Sequence, residues 1–281
     1  LEETDTGTPL ARVSSTRQDR LMHGGAADRI HMAPSAPTAS AISALFVDEH
    51  DRDLQGVALP RPEIHLVVRF GPATRNGLDV HALGVRERVY RKLLPSGQRA
   101  VTARLRLGAP KAVLGVPASA IAGRIVALED LWGHAATERL VDRLAGARDT
   151  LGAAKILERA IAERVEFAAA RGESERLALD AANRLTSANV GAVALDLGVS
   201  ERHLRRVFRE TVGVSPKAFA RLVRFRHALR AARSDGRASW ASIATLAGYY
   251  DQAHLIAEFR AIAGMTPRAF LGELRAAKAV G

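Results

Sequence analysis

Four arginines, Arg202, Arg205, Arg206 and Arg209, crowd into one short stretch of this 281-residue chain. A guanidinium is a rigid fork that can donate two parallel hydrogen bonds, either to guanine O6 and N7 or to a phosphate. From Ser200 to Arg237 there are 11 Lys and Arg residues against Glu201, Glu210 and Asp235, and the whole chain carries a formal charge of +11. Such a local field draws polyanions, of which nucleic acid is the commonest. A solvated helical face in an arginine-rich protein would show the same excess, so charge alone leaves both readings open. A second set, His65, His81, Glu63 and Glu87, has the donor atoms of a metal site. It lacks a close His-x-His pair with a downstream Glu, and scattered His and Glu are ordinarily surface or hydrogen-bonded groups. A metal-dependent β-barrel enzyme with a DNA-binding tail is therefore the weaker rival. There is no cysteine for a thiolate site, a disulfide or a nucleophile, and no GxxxxGK[ST] phosphate loop. No enzymatic activity, metal or cofactor is expected.

The elements that must hold the arginines are legible from an internal repeat. VALDLGV at Val193–Val199 returns 50 residues later as IATLAGY at Ile243–Tyr249. HLRRVFRETVGVSPKAF at His203–Phe219 returns 51 residues later as HLIAEFRAIAGMTPRAF, with eight identical positions. The second copy has gained one residue in its turn. Each copy reads as a short helix, a turn with Gly198 or Gly248, and a second helix opened by Ser200 or Asp251, whose side chains can cap it. Leu204 with Phe208, and Leu255 with Phe259, are spaced i, i+4 to make one buried stripe, which turns the arginines outward. Gly213 and Gly264 suit helix ends, and Ser215-Pro216 and Thr266-Pro267 suit helix starts. Helix-turn-helix units are thus expected at about 190–212 and 240–263, with a joining helix at about 216–233. A rigid joint would let two recognition helices enter major-groove faces about 34 Å apart.

GYYDQAHLIAEFRAIAGMTPRAF resembles the signature of the AraC/XylS transcription regulators, and the likeness extends over roughly Leu177–Phe270. It implies base contacts from Arg202, Arg205 and Arg206 in the first unit and from Ala253, His254 and Ala257 in the second. It further implies backbone contacts from Ser200, Arg209, Lys217, Arg221, Asp251, Gln252 and Arg260. Many members carry a basic residue where this chain has Ala257, so the first unit is expected to carry most of the sequence specificity and the second to position through phosphates. His203 and His254 are read mainly as structural helix residues, and Trp240, Tyr249 and Tyr250 as packing for the second unit. Double-stranded DNA at a promoter is the partner implied, with RNA polymerase and a second copy of the chain as further candidates. A non-specific basic DNA- or RNA-binding protein is the main alternative.

The remainder of the chain is read more coarsely, as part of an α+β fold. Residues 1–43, rich in Thr, Ser, Pro and Ala, are expected to be a disordered tail. Ile64, Leu66, Val68 and Phe70 alternate with His65, Val67 and Arg69, and Val101, Ala103, Leu105 and Leu107 alternate with Thr102, Arg104 and Arg106, as in strands with one buried face. Turn signals fall at Gly71-Pro72, Asn76-Gly77, Pro95-Ser96-Gly97 and Gly108-Ala109-Pro110. Beyond Pro117 the pattern is helical. Residues 44–171 are expected to form a small β-rich, cupin-like barrel followed by helices, and AVLGVPASAIAGRIVALEDLWG at Ala112–Gly133 loosely resembles the sensor domain found ahead of the DNA-binding domain in a subset of these regulators. A small-molecule effector would act there, though no residue set names it. Residues 172–281 are expected to form an all-α DNA-binding domain. No apolar run is long enough to span a membrane, and the missing cysteines fit a cytoplasmic protein.

Overall fold

The computed structural model of the chain describes residues 29–166, 172–234 and 239–279. Eight strands open the fold: β1 (Ile30–Met32), β2 (Ile42–Glu49), β3 (Leu54–Ala58), β4 (His65–Phe70), β5 (Leu78–Leu83), β6 (Tyr90–Leu94), β7 (Arg99–Leu105) and β8 (Ile125–Ala127). Six of them form an antiparallel sheet in the order β1-β2-β7-β4-β5-β8, while β3 and β6 pair as a separate ribbon. The two sheets do not close on each other, which corrects the expected barrel to a sheet faced by a ribbon. Asn76, at φ 58°, and Gly77, at φ 80°, take the left-handed region at the end of the 71–77 connection that leads from β4 back into β5. The turn at Pro95-Ser96-Gly97 leads from the ribbon to the sheet, because β6 pairs with β3 and β7 with β2 and β4.

Part of the expected tail is built in. Residues 1–28 lie outside the described residues, but β1 and the start of β2 fall before position 43. Between them the Ser35–Thr38 turn is held by Glu158, whose carboxylate accepts from the Thr38 hydroxyl and the Ser35 N–H, both at 2.6 Å. A Ser-Pro-Thr stretch that looks unstructured by composition is fixed by a partner more than a hundred residues away.

The helices are α1 (Pro110–Leu114), α2 (Glu129–Trp132), α3 (His134–Ala145), α4 (Thr150–Glu166), α5 (Glu173–Arg184), α6 (Val190–Asp196), α7 (Glu201–Val212), α8 (Pro216–Ser234), α9 (Trp240–Leu246), α10 (Gln252–Ala263) and α11 (Pro267–Ala279). One apolar core runs from one face of the six-stranded sheet through α4 and α5 into α6, α7 and the start of α8, ending at Phe219 and Ala220. A second core takes Phe225, Ala228, Leu229 and Ala232 from the rest of α8, together with residues of α9, α10 and α11 and with Val57 from β3. The two cores thus divide within the joining helix, and each reaches into the β region.

Candidate nucleic-acid interface

The two repeats fold alike because the same local devices recur. Asn189 caps α6 and Ser239 caps α9, each accepting a backbone N–H three residues on. Gly198 at φ 66° and Gly248 at φ 80° make the turns. Ser200 Oγ then accepts from His203 N at 3.2 Å to open α7, and Asp251 Oδ1 accepts from His254 N at 2.7 Å to open α10. Each such cap contributes about 1 kcal/mol by satisfying an orphan donor of the first turn. Gly213 and Gly264, both left-handed, end the two helices, and Pro216 and Pro267 start the next ones.

On α7, Leu204, Val207, Phe208 and Val212 are buried, while Arg202, Arg205, Arg206 and Arg209 are exposed. Arg205 pairs with Glu201 and Arg206 with Glu210, one helical turn away in each case. With more than half of each arginine side chain open to solvent, these pairs are worth only about 0.3–0.5 kcal/mol and can be exchanged for a stronger partner. On α10, Leu255, Phe259, Ile262 and Ala263 are buried, and Gln252, Ala253, His254, Ala257 and Arg260 are exposed. The outward surface of α7 is a guanidinium array, and that of α10 is mostly small and uncharged. All six side chains expected at bases stand in solvent, three on each second helix.

The residues expected at the DNA backbone divide. Arg209, Lys217, Gln252 and Arg260 are exposed. Ser200 and Asp251 are occupied as caps, and a carboxylate, which only accepts, offers a phosphate no hydrogen bond. Arg221 Nε donates to Glu258 Oε2 at 2.7 Å, with the two side chains 30% and 17% exposed. It ties the joining helix to the second recognition helix, an interaction that helix periodicity cannot reveal because the partners lie on separate helices.

The aromatic residues of the second unit also separate. Tyr249 is buried, with Arg224 over its ring at 5.7 Å and the His254 ring edge-on at 5.3 Å, and Trp240 packs against Phe259. Tyr250 is 94% exposed beside the start of α10, which corrects its expected packing role. The added turn residue swings the second aromatic off the core, leaving it on the surface that flanks the recognition helix.

Both units are anchored to the β region. Gly84, just after β5, brings its backbone so close to the turn at Ala118–Ile121 that an added Cβ would lie 1.7 Å from Ile121 O. The same turn packs against α7, and Gly213 meets Ala118 O and Val85. On the other side, Val89 N donates to Ile262 O at 2.9 Å, and Arg91 donates to Glu273 and to Ala263 O. Arg226 on α8 reaches Glu63, just before β4, at 3.5 Å.

The four groups considered for a metal do not converge. Glu63 faces Arg226, Glu87 is exposed, His81 pairs with Asp79 at 3.1 Å, and His65 lies among arginines. Among the described residues, no cluster of three or more His, Asp and Glu is close enough to hold an ion, and no helix is long and apolar enough to cross a membrane.

Residues 176–273 match the protein family described as a helix-turn-helix domain. Among solved structures, ToxT from Vibrio cholerae O395 bound to (E)-4-(8-methylnaphthalen-1-yl)but-3-enoic acid is similar over 82% of this chain and 97% of its own, at 13% identity and a TM-score of 0.41. ToxT from strain SCE256 bound to an unsaturated fatty acid matches over 81% and 93%, at 10% identity and a TM-score of 0.41. The AraC-like transcriptional activator CuxR matches over 72% and 76%, at 14% identity and a TM-score of 0.20. No curated protein matches the sequence.

Proposed function

We propose, from the match of residues 176–273 to a helix-turn-helix domain, that this domain is of the AraC type and that the chain is a transcription regulator that binds a preferred duplex DNA site through both units. The observation that carries this reading is the pair of equivalent units on one joining helix, with Arg202, Arg205 and Arg206 exposed on the first recognition helix. Arginine forks supply about 1–3 kcal/mol of discrimination for each well-placed guanine, whereas Ala253 and Ala257 offer only apolar contact, as to a thymine methyl. The first unit therefore reads most of the sequence. The second positions the complex through Gln252, Arg260 and the surface around Tyr250, and Lys217 and Arg209 add phosphate contacts. Arg221 is assigned to the internal tie with Glu258 in place of a phosphate. The role is non-enzymatic, and the β region acts as the regulatory part, by taking an effector or by self-association.

The test is selection of bound duplexes from a random pool by the full chain, followed by titration of the enriched and a scrambled duplex at two salt concentrations. The full chain is required because the first unit shares its core with residues before position 172. An enriched motif that fades in Arg205→Ala supports sequence-specific regulation. Equal, salt-limited binding to all duplexes would replace it with non-specific nucleic-acid binding.

A further inference from the structure

Glu201 is the first residue of α7, at the end of a recognition helix that meets base edges in the major groove. Between positions 200 and 237 it is one of three acids among 11 Lys and Arg residues. A carboxylate at this place is an awkward neighbour for DNA, because it only accepts hydrogen bonds and every phosphate repels it. A negative charge does suit the first turn of a helix. That local benefit does not account for where the carboxylate is aimed.

Its two oxygens have different surroundings. Oε2 accepts from Arg205 Nη2, one turn along the same helix. Oε1 lies over the start of α6, where a Cβ built on Gly191 would stand 2.9 Å from it. Gly191 is the second residue of α6, a position at which alanine would make the better helix, so its lack of a side chain serves the space that the carboxylate fills. The Glu201 side chain is nevertheless 45% exposed and open to a further partner. Pairing with Glu201 draws Arg205 toward the entry turn of α7, whereas Arg206 is drawn the other way, to Glu210. Two guanidinium groups adjacent in sequence are thereby sent toward opposite ends of the helix.

The second unit has a different residue at each of these places. At the repeat offsets of 50 and 51, Gly191, Glu201 and Arg205 correspond to Ala241, Gln252 and Ile256. The caps, turn glycines and buried stripe are common to both units, so the three residues are not a requirement of the fold. They belong to the outward surface of the first unit.

Base chemistry decides what such a carboxylate can do. In the major groove guanine shows two acceptors, and thymine an acceptor and a methyl group. Adenine shows its N6 donor beside the N7 acceptor, which an acceptor-only group cannot answer. Cytosine shows the N4 amino donor alone. We propose that Glu201 reads a cytosine through that amino group, while Arg205, steadied at Nη2, uses its other N–H groups on the guanine of a neighbouring base pair. The ion pair is then a single reader of two base pairs. Away from a cytosine the carboxylate faces phosphates and acceptors without reward, which disfavours wrong sites as well as favouring the right one. This inference rests on the DNA-binding reading and deepens it.

The test is selection of duplexes from a random pool by the full chain and by its Glu201→Gln, Glu201→Ala and Gly191→Ala variants. Titrations of the enriched duplex, its single-base variants and a scrambled duplex follow. The unaltered chain should select a cytosine beside the guanine that Arg205→Ala relaxes. Glu201→Gln should exchange that cytosine for adenine, because an amide can pair with adenine N6 and N7 together. Glu201→Ala should lower the preference for cytosine by roughly fivefold or more and raise affinity for the scrambled duplex. Gly191→Ala keeps the carboxylate but displaces it, so the preference for cytosine should fall while the melting temperature stays the same or rises. Should Gly191→Ala fold poorly, Glu201→Gln, similar in size and at an exposed site, carries the decision.

A motif identical in the unaltered chain and in Glu201→Gln, with affinity for all duplexes raised equally, overturns base reading by Glu201 and leaves the DNA-binding reading intact. Failure of the unaltered chain to enrich any motif would defeat that reading itself, and this inference with it.

Discussion

The two helix-turn-helix units share capped helix starts, turn glycines and helix lengths, yet they differ in what they present and in what holds them. The first shows arginines to solvent and merges below with the core of the sheet; the second shows Ala253, His254 and Ala257 and closes around Phe225, Phe259 and Phe270 with a ribbon strand at its edge. Backbone design and surface chemistry have therefore separated. The caps and apolar stripe must persist for the unit to fold, while the outward positions and the outer attachments are free to take different work.

The difference can be broken most forcefully at the anchors. Gly84→Ala would place a Cβ against Ile121 O and should cost about 3 kcal/mol or more, with amide-exchange protection lost across α7 and retained in α10. Phe208→Ala and Phe259→Ala, both at fully buried positions, should each cost about 3–5 kcal/mol. Amide exchange after Phe208→Ala should quicken in the sheet and α4, and after Phe259→Ala only in the second unit and the ribbon. Exchange that quickens equally everywhere would mean that the cores act as one.

Smaller effects sharpen the contrast in recognition. Arg205→Ala should lower affinity for the enriched duplex by about 1–3 kcal/mol and relax one base position. His254→Ala should instead weaken binding slightly and uniformly across sequences, and a changed motif would assign base reading to the second unit. A double-mutant cycle on Arg221→Ala and Glu258→Ala, read by thermal melts, should return about 1 kcal/mol for this half-buried pair. Smallest of all, Asp251→Asn keeps the cap and removes a charge, so melting should be nearly unchanged while affinity for any duplex rises modestly at low salt.

What could be read in advance follows the range of the interactions. Caps, turn glycines and i, i+4 stripes act within a few residues, so both units and their joint were visible in the repeat. The tie between Arg221 and Glu258 crosses two helices, and the grip of Glu158 on Ser35 and Thr38 crosses most of the first region, so neither leaves a local trace. The alternation through His65, Thr102 and Arg104 correctly gave strands with one apolar face. It could not tell a polar face open to water from one roofed by a ribbon, because both need the same residues. Tyr250 was misplaced for a related reason: one inserted residue decides which of two adjacent tyrosines turns inward.

Threading the second unit onto a ribbon near the other end of the chain sets an order of assembly during synthesis. Val57, Leu59 and Val89 have apolar partners among residues made much later, as far along as Leu274. At roughly 5–20 residues per second, the ribosome takes roughly 10–40 s to travel from Val57 to that point. Throughout that interval the ribbon carries an uncovered greasy edge, and the nascent protein has its arginine-bearing unit before it has a finished partner for the ribbon. Slow translation through the last helices would prolong this exposure, making the growing chain a client for chaperones at a stage when the exposed arginine array of the first unit already exists.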